Sequence, residues 1–328
     1  MLLFTLLICP LVLFCYWIKD KNSQSRMYSI VTLADRMKYY EELSQQVTNV
    51  TPYQSYIIRL DGKNFSSQTA NLVKPFDDVF SEAMLLTTRD LLKEFHGTTA
   101  YVQSDEISIV FKSVCTQDEY NNKTNKSTHL FGGRTSKLLS ILAGFASTRF
   151  TVNFADLLEK SLDDPNEYNR NCHTNYLNKL NEKGKLSNAT FCFDARLIVV
   201  PENKTYEVVN NLIWRSVHDG YRNYVSSIAR NYYSKNKLNN LKTNERVELL
   251  KREENVSIED QPTHYKYGWY LKHETTEVET EKGTGFRSNI TAKSLKLYYS
   301  EETEKMMYSK YWNDVSESLE FGETRRLL

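Results

Sequence analysis

Apolar side chains recur along this sequence at the two spacings that distinguish strands from helices. These spacings predict strands over residues 56–60 and 191–200, a hairpin over residues 99–112, and helices over residues 33–43, 77–95, 134–150 and 206–233. From the first strand the order is β-α-β-β-α-β-α. That order indicates an α+β fold of the split β-α-β type, in which helices back an antiparallel sheet and one face of the sheet stays free.

The remaining segments are more polar. Residues 115–128 are interpreted as a surface loop, and residues 160–188 as a polar segment ahead of the last of these strands. Beyond residue 235, a helix over residues 244–252 and a strand over residues 265–272 precede a tail rich in Glu and Lys. We therefore expect three regions: an apolar extension over residues 1–26, a catalytic body over residues 27–235, and a C-terminal extension over residues 236–328.

The first 18 residues carry no charged side chain and are dominated by Leu, Phe and Ile. This run is about the minimum length of a membrane-spanning helix, although Pro10 lies in its middle. A signal peptide fits less well, because no basic residue precedes the run and no small-residue cleavage site follows it. Two interpretations stay open: a membrane anchor, or an extension that a start at Met27 would remove.

The charge balance limits the classes of partner. Because 42 basic side chains face 41 acidic ones, the net charge of +1 gives no global field that attracts nucleic acid, and any such contact needs a local basic patch. The five cysteines form no C-x-x-C pair. Free thiols in a reducing, cytoplasmic-type compartment are the expected state, and a zinc site is not expected.

Two acidic residues lie where strand-like runs break. Asp61 ends the run 56–60 and is followed by Gly62, and Asp105 lies with Glu106 in the middle of the predicted hairpin. Burying charge at such a junction is costly unless a cation compensates it. If the two strands pair, the carboxylates meet side by side, which suits Mg²⁺ held against a triphosphate. The pattern favours metal-assisted nucleotidyl transfer.

A triphosphate also needs cations and free backbone amides. The loop from Asp61 to Ser66 is expected to give backbone donors near a helix start, and Gly62 allows close approach of its backbone to a ligand. The candidate cations in this part of the chain are Lys63, Lys74, Arg134 and Lys137. The turn at residues 131–137 is not a Walker P-loop, and no Ser-His-Asp or Cys-His signature supports a side-chain nucleophile.

Taken in order, these motifs resemble the tRNA-His guanylyltransferase family, including its guanylyltransferase-like branch of 3′-to-5′ polymerases. The resemblance runs from about residue 33 to residue 272. The matching motifs lie at residues 33–41, Arg59 to Phe65, Lys74 to Asp77, Gln103 to Glu106, Phe131 to Leu138, Phe193 to Arg196, Trp214-Arg215, Asp219 to Asn223 and Lys266 to Gly268. Each motif is weak alone, and their order makes the set specific.

The resemblance implies a polymerase-palm-like fold and a transferase that uses ATP or GTP and adds a GTP-derived nucleotide to the 5′ end of tRNA. It implies two Mg²⁺ ions held by Asp61, the Gly62 carbonyl and Asp105, with Glu106 in support. It also implies that Lys63, Asn64, Phe65 and Ser66 wrap the triphosphate, that Lys74, Ser104, Arg134 and Lys137 contact the nucleotide phosphates, and that Arg222 and Asn223 lie near the RNA end or the nucleotide. Family members also tend to form homotetramers.

The chain departs from the eukaryotic pattern at residues 220–223, where Gly-Tyr-Arg-Asn replaces His-Ile-Asn-Asn. Template-dependent repair of tRNA 5′ ends is therefore an alternative to guanylylation of tRNA-His. A palm-type nucleotide cyclase and a membrane-tethered RNA-binding protein with an inactive site are the other hypotheses.

Overall fold

One seven-stranded sheet organises the computed structural model, which describes residues 32–182, 191–280 and 283–327. Its strands are β1 (Ser55–Gly62), β2 (Thr99–Gln103), β3 (Glu106–Phe111), β4 (Phe193–Val200), β5 (Trp269–Thr280), β6 (Gly283–Lys293) and β7 (Thr324–Leu327). Their spatial order is β4-β1-β3-β2-β5-β6-β7, and all neighbours are antiparallel. The α+β class with an antiparallel sheet is confirmed.

Helices surround this sheet. They are α1 (Leu33–Ser44), α2 (Phe65–Gln68), α3 (Asp78–Phe95), α4 (Gln117–Asn121), α5 (Thr135–Lys160), α6 (Glu167–Glu182), α7 (Glu207–Ile213), α8 (Tyr221–Tyr232), α9 (Lys235–Leu238), α10 (Thr243–Glu254), α11 (Thr263–Tyr267) and α12 (Glu301–Tyr308). A π-helical segment, Trp214–Gly220, connects α7 to α8. The long helix predicted over residues 206–233 is thus confirmed, with a wider turn inside it.

Strand β1 lies under helices on both sides. Its Ile58 and Leu60 belong to the core formed with α3 and α5. Its Ile57 belongs to a second core, in which Val208 and Leu212 of α7 are buried. The prediction of a free sheet face is therefore wrong around β1, because α7 covers that face. The predicted carboxylates Asp61 and Glu106 lie at the ends of β1 and β3.

Helix α5 runs along the first of these cores. Its length and apolar content alone would suit a membrane span. Leu138, Leu142, Ala146 and Phe150 are nevertheless fully buried against the sheet and α3. Their spacing of four residues makes one helix face, which explains the apolar composition by core packing. The apolar residues 1–18 lie outside the described residues.

Three sequence predictions are corrected. The segment before Gly268 is not a strand but helix α11, and β5 begins at Trp269. Gly268 causes the break, because it adopts φ +79° and a Cβ there would lie 2.6 Å from the Tyr101 ring. The polar residues 160–188 contain helix α6, in which His173 and Tyr176 are buried. The surface loop predicted over residues 115–128 contains the one-turn helix α4, whose capping box joins Thr116 to Glu119.

The C-terminal residues complete the sheet. Strand β5 pairs with β2 over Ala100 to Val102, and β6 and β7 extend the sheet from β5. Met306 and Met307 of α12 are buried in the same core as Ile57. The boundary predicted at residue 235 therefore divides the chain but not the sheet, and the division into domains stays a prediction.

Two glycines in helical segments provide a matched test of this packing. A Cβ on Gly220 would lie 1.9 Å from Oε1 of Gln103, whereas a Cβ on Gly144 would meet no atom within 4 Å. We expect Gly220→Ala to destabilise the fold by about 1–3 kcal/mol through overpacking. Gly144→Ala is expected to stabilise it by roughly 0.5–1 kcal/mol, because alanine is the better helix former.

Urea denaturation of both variants measures these free energies of unfolding. Equal stabilities for the two variants would contradict the close approach of Gly220 to Gln103.

Candidate active site

The candidate site begins with a row of acidic residues across three neighbouring strands. Asp61 at the end of β1 lies opposite Glu106 of β3 on one side and opposite Asp194 of β4 on the other. Residues directly opposite each other share a face of the sheet. Three carboxylates side by side repel one another, so the arrangement requires nearby cations.

Arginines supply part of that charge. Arg59 and Arg196 form the adjacent row on the same face, and both bind Glu41 of α1, with N to O distances of 3.1 Å and 2.8 Å. Arg215 from the π-helical segment binds Glu106 through both carboxylate oxygens, and its Nε lies 2.5 Å from Oε1. Glu106 is thereby enclosed by arginine. Burial raises the pKa of Glu106, and Arg215 opposes that shift.

Asp61 and Asp105 are left without such compensation. The amide of Gly62 donates to the carbonyl of Asp105 at 3.0 Å, so the strand end and the hairpin turn adjoin. Ser104 Oγ donates to Asp105 Oδ1 at 3.1 Å. Within the part of the chain that the structure describes, neither carboxylate has a Lys, Arg or His nitrogen within 4.0 Å. Asp61, in the middle of the acidic row, and Asp105, beside it, are therefore the two carboxylates that no basic side chain contacts.

The electrostatics of both groups reflect this position. Burial raises the pKa of Asp61, an effect that Arg59 opposes and Asp194 strengthens. Burial also raises the pKa of Asp105, and repulsion from Asp61 adds to the shift. Both carboxylates are therefore costly to hold in the charged form, and a bound cation would relieve that cost.

The donor atoms suit magnesium better than a soft metal. Among residues 32–182, 191–280 and 283–327, no three His, Cys, Asp or Glu side chains converge as a complete metal site. Mg²⁺ is usually bound through one or two carboxylates together with water and substrate phosphates, so a complete protein cage is not required. The Asp61 and Asp105 carboxylates and the Gly62 carbonyl are hard oxygen donors of that kind.

A cleft of about 760 Å³ opens beside these carboxylates. Of the residues predicted to form the site, it is lined by Asp61, Ser66, Lys74, Ser104, Asp105, Glu106 and Asn223. These residues come from β1, α2, the loop before α3, the β2–β3 turn, β3 and α8. The structure thus gathers in one place residues that are up to 162 positions apart in the sequence, from Asp61 to Asn223.

The loop after Asp61 is held by the core. A Cβ on Gly62 would lie 2.6 Å from the Phe65 ring, so only glycine leaves room for that ring. Phe65 is almost fully buried and contacts Phe150, Phe191 and Phe193 at ring-centroid distances of 5.0–5.4 Å. Its side chain therefore anchors the loop.

The neighbours of Phe65 in this loop are at the surface. Lys63, Asn64 and Ser66 are exposed, and Asn64 adopts φ +60°. Ser66 alone of these three lines the cleft.

The structure does not bring Arg134 and Lys137 into this cleft. Both are exposed at the start of α5, where the backbone of Arg134 bridges to Asn49. Phe150 of the same helix packs against Phe65, in the loop that follows Asp61. Fifteen helical residues separate Thr135 from Phe150, which corresponds to about 22 Å along the axis. Arg222 is exposed and is paired with Asp219.

The Lys74 loop is fixed from two sides by residues that the sequence did not single out. Asp77 caps α3 through the Phe80 amide and binds Nε2 of the buried His173 of α6 at 2.9 Å. Phe76 stacks with the rings of Tyr224 and Tyr265, at centroid distances of 5.2 Å and 5.1 Å. Distant segments thus position the cleft wall that carries Lys74.

Asp194 was also missed as part of the acidic row. Its strand was predicted correctly, but the side of the sheet on which it pairs could not be deduced from spacing. The register Asp61 to Asp194 appears only once β4 is known to lie beside β1.

Comparison with known proteins assigns the family. The model of the tRNAHis guanylyltransferase family matches residues 34–201. The chain is 34% identical over 280 residues to an uncharacterized protein of Acanthamoeba polyphaga mimivirus, covering 85% of this chain and 90% of that protein. It is 25% identical over 272 residues to the probable tRNA(His) guanylyltransferase of Bos taurus, covering 79% and 74%.

Solved structures share the fold. A bacterial tRNA(His) guanylyltransferase-like protein in complex with ATP superposes with a TM-score of 0.53 and 24% identity, covering 78% of this chain and 92% of that one. The tRNA(His) guanylyltransferase of Saccharomyces cerevisiae gives a TM-score of 0.50 and 20% identity, covering 75% and 94%. The palm-like architecture expected from the motifs is confirmed.

The raised pKa of Asp105 leads to a stability prediction. Because the folded state disfavours its charge, Asp105→Asn should raise the free energy of unfolding at pH values above the folded-state pKa. The gain should shrink as the pH falls through that pKa, because the wild-type carboxyl then takes up a proton in the folded state. Thermal melts of the metal-free protein between pH 4 and pH 8 measure it.

The matched control is Asp260→Asn, at an exposed position outside the cleft. A destabilised Asp105→Asn variant at neutral pH would contradict the uncompensated charge.

Proposed function

The chain belongs to the tRNAHis guanylyltransferase family, whose members are nucleotidyltransferases, and on this premise we propose that it adds a GTP-derived nucleotide to the 5′ end of tRNA in the 3′-to-5′ direction. The observation that carries the proposal is the uncompensated pair Asp61 and Asp105, which adjoin at one end of the cleft. A reducing, cytoplasmic-type compartment is proposed with it, and Cys115, Cys172 and Cys192 are free thiols.

We propose two Mg²⁺ ions as the cofactor, and GTP and ATP as substrates. The carboxylates of Asp61 and Asp105 and the carbonyl of Gly62 would hold the metal, which supplies charge neutralisation at the phosphates and lowers the pKa of the attacking hydroxyl. The ATP complex of the bacterial relative supports the choice of nucleotide for a fold of this type. Assembly as a homotetramer and membrane contact through residues 1–18 stay predictions.

The protein residues then position the reactants. Lys74, Ser104 and Asn223 line the cleft, and each side chain has a hydrogen-bond donor of the kind that binds phosphate oxygens. Glu106 is engaged by Arg215, so its proposed role is to orient the strand end beside Asp61 and Asp105. In the transfer step, the 3′ hydroxyl of the incoming nucleotide gives its proton to water and its oxygen bonds to the 5′ phosphorus of the activated RNA. The bond from that phosphorus to the activating nucleotide breaks in line, and a nucleoside monophosphate is released.

Arg134 and Lys137 would act on phosphates elsewhere. They are exposed and lie about 22 Å along α5 from Phe150, which packs against Phe65 in the loop after Asp61. In the proposed function they contact phosphates outside this cleft, and not the triphosphate beside Asp61.

Two other activities remain as outcomes of the same assay. Template-dependent repair predicts addition to 5′-truncated tRNAs, with the added nucleotide set by the opposite strand. A palm-type cyclase predicts a cyclic product from GTP without RNA. A panel of full-length and truncated tRNAs with each nucleoside triphosphate in turn separates the three.

The catalytic assignment predicts the effect of removing either carboxylate. Asp61→Asn and Asp105→Asn should each lower incorporation of labelled nucleotide into tRNA by about a thousandfold, since each loses several kcal/mol of transition-state stabilisation. Mg²⁺ should raise the melting temperature of the wild-type protein and not that of either variant. Asp260→Asn controls for loss of a carboxylate at an exposed position.

Near-normal incorporation by a folded Asp61→Asn or Asp105→Asn variant would remove the metal assignment. Retained stabilisation by Mg²⁺ in both variants would do the same without reference to activity.

A further inference from the structure

A carboxylate near the C-terminus caps a short helix at the wall of the cleft. Glu323, which directly precedes β7, accepts hydrogen bonds from the first two amides of α11, Thr263 N at 2.9 Å and His264 N at 3.1 Å. The hydroxyl of Ser294 donates to the same carboxylate. The first amides of a helix have no partner within it, so a side chain 60 residues away completes this helix end.

The carboxylate of Glu323 is held in its charged form. Burial alone would raise the pKa of Glu323, but hydrogen bonds from Ser294 and from the amides of α11 lower it to about 2. Hydrogen bonds to a charged acceptor are roughly twice as strong as those between neutral groups. At neutral pH the contact between Glu323 and α11 is therefore a strong one.

The backbone of Glu323 is anchored in turn. Ser294, which is buried just after β6, donates its amide to the Glu323 carbonyl at 2.9 Å, and its hydroxyl accepts from the Glu323 amide at 2.8 Å. Two residues further on, Arg325 pairs with Glu82 of α3 at 2.7 Å. The cap is thus fixed both to the sheet and to α3, so it can hold α11 in place.

A second side chain holds the other end of α11. Nε2 of Gln103 donates to the carbonyls of Tyr265 and Lys266 at 3.1 Å and 3.0 Å. The hydroxyl of Tyr101 donates to Oε1 of Gln103 at 2.6 Å, which fixes the orientation of the amide. Gln103 is the last residue of β2 and lies two positions before Asp105. Helix α11 therefore connects the C-terminal cap to the turn that carries this carboxylate.

Helix α11 also forms part of the cleft wall. Its His264 and Tyr265 line the cleft, whereas Glu323 lies outside the lining. The Tyr265 ring stacks with Phe76 at 5.1 Å, and its hydroxyl donates to Asp78 at 3.0 Å. A shift of α11 would move this part of the lining together with its contacts to the loop before α3.

We propose that Glu323 is a positioning residue for nucleotidyl transfer, which holds α11 and, through α11, sets the place of Gln103 and of the turn that carries Asp105. Glu323 acts through the helix that it caps and not by contact with the substrate. This proposal rests on the proposed function. It adds a determinant of the reaction from outside residues 34–201, the part of the chain that the family model matches.

Steady-state kinetics of nucleotide incorporation into tRNA test this role. Glu323→Ala should lower kcat by about tenfold to a hundredfold, because misplacing a reacting group by about 1 Å can cost a hundredfold in rate. The KM for the nucleotide should change less than kcat, since Glu323 lies outside the lining of the cleft. Glu323→Gln keeps one acceptor oxygen and should recover part of the lost kcat.

A double-mutant cycle with Gln103 tests the path from Glu323 to the turn. If Glu323 acts through Gln103, the fold-losses in kcat for Glu323→Ala and Gln103→Ala should combine in the double variant to much less than their product. Hydrogen–deuterium exchange gives a readout without catalysis. In Glu323→Ala, the amides of α11 and those of residues 103–106 should both exchange faster than in the wild-type protein.

Two controls separate positioning from a loss of stability or of charge. Thr303→Val removes buried hydrogen bonds of α12, which does not line the cleft, and should lower the melting temperature with kcat unchanged. Glu320→Gln removes an exposed carboxylate from the same C-terminal segment and should leave both quantities unchanged. Melting curves establish the temperature below which every variant is folded, and the kinetics are measured there.

Two results would overturn the proposal. One is a folded Glu323→Ala variant with the same kcat as Thr303→Val. The other is a double variant that shows the full product of the two losses, which would mean that Glu323 does not act through Gln103. If Glu323→Ala does not fold, Glu323→Gln is judged by the same criteria. Failure of the proposed function is distinguishable, because the wild-type protein would then incorporate no nucleotide, while exchange at residues 103–106 would still depend on Glu323.

Discussion

The balance of charge at the ends of β4, β1 and β3 is the constraint on which the site depends. Asp194, Asp61 and Glu106 lie abreast, and guanidinium groups from the next row and from the π-helical segment compensate the outer members. The central position is left to Asp61, with Asp105 beside it. The arginines therefore pair with the outer carboxylates, Asp194 and Glu106, and the negative charge of Asp61 and Asp105 is left for a ligand to neutralise. An arginine added beside Asp61 would neutralise its charge, and it would also take the place that a bound cation would occupy.

The cleft is also a meeting point of segments far apart in the chain. The loop that carries Lys74 is fastened by His173 of α6 and by Tyr224 of α8, and the hydroxyl of Tyr265 in α11 bonds to Asp78 at 3.0 Å. Gln103 binds the carbonyls of Tyr265 and Lys266 beside the hairpin turn. Residues beyond the part matched by the family model thus shape the wall of the site. Through these hydrogen bonds, the segment at Tyr265 and Lys266 contacts Gln103, two residues before Asp105.

Sequence reasoning reached the strands and helices around the site because their apolar spacing is strong. The run before Asp61 and the hairpin around Asp105 are buried in the core, and each ends where its polar residues begin. Helix α6 was not predicted, because its inward face consists of His173, Tyr176 and partly buried leucines in an otherwise polar segment. Its signal was the helical spacing of those residues and not their hydrophobicity.

Long-range pairing limited the rest of the sequence prediction. The spacing of acidic residues could not show that Asp194 lies opposite Asp61, or that Glu106 is enclosed by Arg215. It could not show either that the start of helix α5, at Arg134, lies beside Asn49, which precedes β1, and not beside Asp61. These facts depend on the order of strands in the sheet, which local periodicity does not encode. Phe65 was assigned to the nucleotide by its motif, and only the packed structure reveals that its ring is a core residue.

The π-helical segment Trp214–Gly220 determines which face of helix α8 is turned towards the cleft. A π-turn accommodates one residue more than the α-helical path, and one residue corresponds to a rotation of about 100° around the axis. Excision of a single amino acid from this segment would leave α8 intact as a helix but swivel its contact face by roughly a quarter turn or more. The direction in which the cleft-facing side of α8, with Asn223, points is therefore set by a helical irregularity that ends just before it.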